Sequence, residues 1–498
     1  MFYENLKKFK KTTEKNLTFS IFESGVSSDA DDSISKPTEC KNFYNLTYND
    51  GALKTGLGFK DLEVPTSVTD LKTTSVFDIS AKVTKVSAIY LEKMFSEAYD
   101  MYVNQIMVLD SDFKVYGLPL LNLRNNYMVT RSDKLTAKPI FCTEYRVSNS
   151  DVVIFFTKNE TAISGQTINA VCANVPPMIS CVVHYGNFFG IKNDSKNTLI
   201  YTKNTDLRKW IENETTSTIE FLDNRGAFIK LVAFNDYVYL FREKGITKIS
   251  IYTSKEDFSV THLYTSSSRI FENSICVCGD KVFFMTRDGL YSFNGTTVTK
   301  ICEKYDKYFK NLDNSNCSSA CLDGKYYIAT RCDFNDGETV GCEENEGFVN
   351  NVLFEVDLKN FELNLLRGVD IINILSVDCP YLSKLCACFN DKAQKIGELC
   401  FNGKDFLTNN KKAWQSYATD LGYNAKRKKL KELILTTKYN CEIEIISDEE
   451  TKTYSFSGSD AEQRLAICVS GKTFQFKFKT DAEKCEICKP MIVFDVVS

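Results

Sequence analysis

Short apolar-aromatic runs separated by turn-forming pairs dominate the middle of the chain. The clearest are FFGI behind Gly186-Asn187, YVYLF behind Asn235-Asp236, KVFFM behind Gly279-Asp280 and KYYIA behind Asp323-Gly324. These copies are spaced 49, 44 and 44 residues apart. Second turns stand inside the copies, Glu243-Lys244-Gly245 before ITKISI and Asp288-Gly289 before LYSF, and Ser150-Asp151 before VVIFF is a fainter copy. Runs of this length bounded by Gly, Asn and Asp predict strands joined by tight hairpins. A period of about 40–50 residues built from such strands is the pattern of propeller blades. A helical repeat of similar period would place apolar residues at i, i+3, i+4 and i+7 over long windows. Val83–Tyr99 and Asp306–Leu312 are the segments that could carry a helical turn or two.

The pattern therefore predicts an all-β chain with a β-propeller of about seven blades over residues 71–408, a ring that protects sheet edges. Residues 1–70 show no clean period, and a basic stretch (Lys7, Lys8, Lys10, Lys11) precedes the acidic run SSDADDS at 27–33. They predict an irregular N-terminal arm that lies on another surface, ending in the Asp50-Gly51 turn signal. Residues 409–498 break the rhythm with alternating strands such as CEIEIIS, TFQFKFK and MIVFDVV, and predict a small C-terminal β-sandwich-like module.

Composition sharpens this picture. The chain has 498 residues, whereas single cores rarely grow past about 250–300, so a repeated small unit is the economical solution. Aromatic residues reach 13%, with 36 Phe and 25 Tyr, and these suit pleated surfaces. A net charge of −4 supplies no whole-molecule attraction for a polyanion. No long apolar window occurs, so no membrane span is expected, and the basic start lacks the apolar stretch of a secretory signal. The nineteen cysteines then read as reduced, buried thiols, with Cys276/Cys278 and Cys386/Cys388 at strand spacing.

Cys485 and Cys488 form a lone CxxC without the second pair a zinc ribbon needs, and read as structural thiols in a turn. His184 and His262 are the sole histidines, a poor supply for acid–base chemistry. The loop 332–347 carries Asp333, Asp336, Glu338, Glu343, Glu344 and Glu346, but Gly337 interrupts calcium-loop spacing, so it reads as a solvated hairpin extension or a partner contact. The glycines of KTGLGF, Gly56 and Gly58, lack the setting of a phosphate loop. No catalytic residue, cofactor site or metal site is assigned. The basic runs Lys7–Lys11 and Lys426–Lys431 carry an expectation of weak DNA contact at most.

Three stretches, CKNFYNLTYNDGALKTGLGFKDL (40–62), VVHYGNFFGIKNDSKNTLIYTKNTDLRKW (182–210) and FIKLVAFNDYVYLFREKGITKI (228–249) followed by 272–301 with Asp288-Gly289-Leu290-Tyr291, together resemble a known family. It is that of propeller-type virion proteins of tailed bacteriophages and prophages, including those like short-tail nozzle proteins. Thr55 and Leu57 stand where many relatives carry Arg and Pro. The resemblance supplies no functional residue. It implies a structural part of a tail, nozzle or neck, made in the bacterial host cytoplasm and residing in the virion. Its partners would be other virion proteins and further copies of itself, with no membrane and no catalysis.

Two other classes compete. A carbohydrate- or receptor-binding propeller would use exposed aromatics near amides, for which Tyr291 with Asn294 and Tyr185 with Asn187 are candidates. A glycan-cleaving propeller would use carboxylates around its channel. On the three-segment division, removing residues 1–36 should leave the ring folded and abolish assembly. Circular dichroism and light scattering on that truncation check it, and global unfolding would overturn the division.

Overall fold

The structure is a computed structural model of the chain. It describes residues 13–21, 40–401 and 411–497, apart from residue 50 and the stretches 68–69, 78–82, 84, 97–99, 122–128, 131–134, 148–149, 164–169, 172–173, 204–206, 208–209, 211–215, 251–257, 310–311, 335–346, 360, 362 and 391–395. The described residues are all-β, with short 3-10 turns as their helical content. The Lys7–Lys11 run, the 27–33 run and most of the acidic loop lie outside them.

The chain forms two compact units. One takes residues from 59–361 and 368–400, the other from 1–58, 362–367 and 401–498. The larger unit is a series of antiparallel meanders in propeller-like succession. Sheet 1 opens with Val86–Ser96, sheet 2 with Phe141–Val147, sheet 3 with Met178–His184 and sheet 4 with Phe228–Phe234. Sheet 5 opens with Cys276–Cys278, sheet 6 with Ser318–Leu322 and sheet 7 with Ile371–Cys379. Sheet 7 is completed by Gly58–Asp61, a strand from far earlier in the chain.

The turn pairs sit where the chain reverses. Asn235 and Asp236 take φ of 45° and 62° between Phe234 and Tyr237, and Asp323 and Gly324 take 49° and 70° between Leu322 and Lys325. Positive φ at both positions matches the right-handed twist of the flanking strands. In sheet 3 the reversal is made by Tyr185-Gly186, one residue before the expected pair.

Second strands are buried along nearly their whole length, as in Tyr237–Arg242, Lys281–Thr286 and Lys325–Thr330. Both faces of such a strand are covered, so it reads as a continuous apolar run without alternation. The cover comes from neighbouring sheets. Met107 and Leu109 of sheet 1 pack on Val153 and Phe155 of sheet 2. Ile154 and Phe156 meet Phe188 and Trp210 of the next, and Phe189 and Leu199 meet Phe228 and Leu240 beyond it. Phe241 then packs on Phe284, Phe283 stacks on Tyr326 at 5.1 Å, and Ser318 Oγ donates to Ile374 O. Val377 and Cys386 of sheet 7 share a cluster with Ile89 and Ile106 of sheet 1. Each buried Phe contributes about 1.5–3 kcal/mol over an exposed one.

In the smaller unit, one sheet runs Leu46–Asn49, Ala52–Thr55, Glu486–Val497, Arg427–Thr437, Ser459–Gly471, and Thr13–Ser20 also pairs with Glu486–Val497. A second runs Cys40–Tyr44, Lys412–Ser416, Phe474–Thr480, Cys441–Ser447, Thr451–Phe456. Phe474, Phe476 and Phe478 are buried while the residues between them are partly exposed, so this sheet buries one face. Asn45, at φ 60°, donates its N–H to Leu365 O and accepts from Arg367 N through its side chain.

These findings revise three expectations. Cys40–Tyr44, Leu46–Asn49 and Ala52–Thr55 are strands and not an irregular arm, and the first and last of them pair with strands more than 350 residues later in sequence. Val83–Tyr99 holds no helical turn in its described part but the strand Val86–Ser96, whereas Glu303–Tyr308 does form a 3-10 turn. The compact units also cut the chain differently from the three sequence segments, since residues before 59 join those after 400.

Gly397 shows how tightly Gly58–Asp61 is held. A Cβ there would sit 1.7 Å from Phe59 Cε2 and 2.7 Å from Lys60 O. Gly397→Ala should therefore destabilise the chain by about 1–3 kcal/mol. Adding Phe59→Ala should show favourable coupling of about 0.5 kcal/mol or more, read from denaturation of the two single variants and the double.

Candidate functional site

A polar recess lies in the larger unit, where the entries to the first strands of sheets 2 to 6 converge. Phe141, Ile179 and Lys230 stand near the starts of their strands, and Asn273 and Asn316 lie just before theirs. The cavity measures about 450 Å³, a size suited to a small ligand. Its charged lining is Lys196, Lys230 and Arg269 against Glu243 and Glu272.

Lys230 is the odd residue of FIKLVAF, a charge within an apolar strand. Its Nζ donates to Ile275 O at 2.6 Å and to Glu272 O at 3.4 Å, and it has no ion-pair partner among the described residues. Burial holds its pKa below the usual lysine value, with Cys276, Cys317 and Glu272 opposing. Arg269 Nη2 stands 3.9 Å from Glu272 Oε2, an ion pair too long for a hydrogen bond. Arg269 Nε and Glu272 Oε2 have no hydrogen-bond partner. Asn273 is fixed, its Nδ2 donating to Ser315 O at 2.8 Å and its carbonyl accepting from Ser319 Oγ at 2.8 Å. Glu243 Oε2 accepts from Ala227 N at 3.4 Å.

The residues singled out from sequence lie elsewhere. His262, on the last strand of sheet 4, contacts Thr265 Oγ1 through Nε2 at 2.8 Å, and burial, then Arg225 and Arg242, lower its pKa. His184 is partly exposed, its ring 4.3 Å from that of Tyr185, and its Nε2 lacks a partner. Cys485 and Cys488 are free thiols in the smaller unit, where burial pushes Cys485 up to about 12 and also raises Cys488. Thr55 N donates to Cys485 O and Cys485 N donates to Thr55 Oγ1, a structural role. Gly56 lies close to its neighbour, since a Cβ there would stand 3.0 Å from the Asn45 backbone. No group of three or more His, Cys, Asp or Glu able to hold a metal occurs among the described residues.

Both aromatic pairs have local duties. Tyr291 stacks on Phe284 at 5.4 Å and donates to Asp288 Oδ2, while Asn294 Oδ1 caps the turn by accepting from the N–H groups of Thr296 and Thr297. Tyr185 is 63% exposed and donates to Asp236 Oδ1 at 2.7 Å, so its ring remains available at the surface. In the basic run, Arg427 pairs with Glu449, Lys428 is buried and donates to Lys472 O, and Lys431 reaches Asn16 and Asp495. Lys426 and Lys429 point outward.

No protein-family model matches the chain, and no curated protein matches it. Among solved structures, the extracellular domain of BT4673 from B. thetaiotaomicron is similar over 86% of this chain at 10% identity and a TM-score of 0.44. The chain spans 59% of that protein's length. The N-terminal domain of Nup159 is similar over 69% of this chain and 95% of its own, at 11% identity and a TM-score of 0.37. Likeness at this level says nothing of what the chain binds.

Asp288 offers a pH-dependent test of the sheet 5 turn. It accepts from Ser268 Oγ, Thr286 Oγ1 and Tyr291 Oη. Burial raises its pKa, but these hydrogen bonds together with Lys300 outweigh it, so the folded value lies below the ordinary one. The resulting stability is present above the unfolded carboxylate pKa, about 3.9, and is lost as pH falls through the folded value. Asp288→Asn should lower stability at pH 7 by about 1 kcal/mol, discounted for its partial exposure, and flatten the acid limb of a denaturation-versus-pH curve.

Proposed function

We propose that this chain is a structural component of a bacteriophage or prophage particle, in a tail, nozzle or neck, acting by contact with other virion proteins and not by catalysis. On this reading the larger unit is a seven-bladed propeller, with Gly58–Asp61 as the last strand of the seventh blade, and the smaller unit is a β-sandwich that joins subunits into a ring. Assembly in the host cytoplasm and residence in the virion follow from the family resemblance. Weak DNA contact would fall to Lys7–Lys11 and to the outward members of Lys426–Lys431.

One observation carries the assembly reading. Ser459–Gly471, thirteen residues long, stands at the end of its sheet's strand order, and Asp460, Ala461, Glu462, Arg464 and Ala466 are exposed. A sheet edge offers backbone groups to an incoming strand. Its far end is already engaged, Cys468 N donating to Tyr454 Oη and Ser470 N to Glu450 Oε1, and at its near end Ala461 N donates to Ser459 Oγ, so the segment 462–466 is the part left for a neighbour.

A second reading, a carbohydrate- or receptor-binding propeller, is favoured by the polar recess of the larger unit. Light scattering and negative-stain imaging of the full chain separate the two. The assembly reading expects rings or concentration-dependent oligomers that Ala461→Lys with Ala466→Lys reduces to monomers at unchanged Tm. A chain that is monomeric at every concentration, or a variant that assembles like the parent, overturns it.

A further inference from the structure

The recess on sheets 2 to 6 has a chemistry that specifies more than shape. We infer that it takes a carboxylate-bearing monosaccharide, a uronic or sialic type of sugar acid, an inference that rests on the second reading above.

Charge comes first. Three cations and two carboxylates line the cavity, an excess of one positive charge. Lys230 is the more buried of the two lining lysines, and its two hydrogen-bond partners are the neutral carbonyls of Ile275 and Glu272. A partly desolvated ammonium held by neutral dipoles gains most from an added single anion. A phosphate dianion fits less well, since Glu243 and Glu272 share the lining and would repel the second charge.

Hydroxyl chemistry comes second. Arg269 Nη2 and Glu272 Oε2 place a donor and an acceptor 3.9 Å apart, too far for a hydrogen bond, on side chains that are 39% and 36% exposed and so free to part slightly. A hydroxyl is the group that accepts from one and donates to the other at once. Inserted between them, it converts a long ion pair into two hydrogen bonds. The side chains of Asn193 and Asn316 stand on the same lining with both donors and acceptors, and Phe141 supplies an apolar wall. A ring carrying one carboxylate, several hydroxyls and an apolar face meets all three features. The cavity of about 450 Å³ holds one such ring with its water and excludes a long chain buried end to end.

Calorimetry on the full-length chain, with glucuronic acid and N-acetylneuraminic acid as probes against glucose and N-acetylglucosamine, tests this. The acids should bind, the neutral sugars should bind at least about tenfold more weakly, and added salt should weaken the acids alone. Lys230→Met should cost the acids about tenfold or more while leaving residual neutral-sugar binding unchanged. Because Lys230 is partly buried, its variant is accepted only with the parent's Tm, and Lys196→Ala, at an exposed site, gives the same direction without a folding risk. Neutral sugars binding as well as the acids would overturn the inference yet leave a sugar-binding propeller standing. Failure of every sugar at millimolar concentration would remove both.

Discussion

A small antiparallel sheet with two apolar faces cannot stand alone in water, and the larger unit follows from that constraint. Phe188 and Phe189, adjacent in one strand, point to opposite faces and belong to two different clusters, one shared with sheet 2 and the other with sheet 4. The same holds for Ile154 and Phe155. A stack of such sheets would leave an apolar face bare at each end. Here Val377 and Cys386 of sheet 7 lie in one cluster with Ile89 and Ile106 of sheet 1. Side-chain hydrogen bonds reinforce that junction, Ile89 N donating to Asn373 Oδ1 and Asn104 N to Tyr381 Oη.

Completing the last sheet with Gly58–Asp61 has a thermodynamic consequence. The strand lies more than 300 residues in sequence from the strands it joins, so its loop-closure cost falls on the whole unit at once. Loss of that strand would uncover Gly397 and the ring of Phe389, which Phe59 meets edge-on at 5.0 Å. The smaller unit uses the same device. Thr13–Ser20 and Ala52–Thr55 both pair with Glu486–Val497, so neither end of the described chain makes that sheet without the other.

Polar residues serve this architecture in two ways. Asp288, Asn294 and Asn45 satisfy backbone or hydroxyl donors at turns and strand joins. Lys230, Arg269 and Glu272 are different, because their hydrogen-bonding capacity is incompletely used within the fold. Groups of that kind cost stability unless something else repays them, which is why the recess is the place to look for a ligand.

Local physics was readable in the chain. Asn235-Asp236 and Asp323-Gly324 announce hairpins because few residues tolerate positive φ, and runs such as KVFFM announce buried strands because no exposed surface would keep them. The repeat of those signals was enough to indicate an all-β, propeller-like succession. Pairings over hundreds of residues were not readable: Cys40–Tyr44 looks irregular until Lys412–Ser416 lies beside it. Val86–Ser96 likewise has a mixed pattern whose strand character comes from Met101–Asp110 alongside. The recess was hidden for the same reason. Lys230 comes from the first strand of sheet 4 and the Arg269–Glu272 pair from the connection into sheet 5, and sequence spacing carries no record of side chains that meet only when separate sheets are brought together.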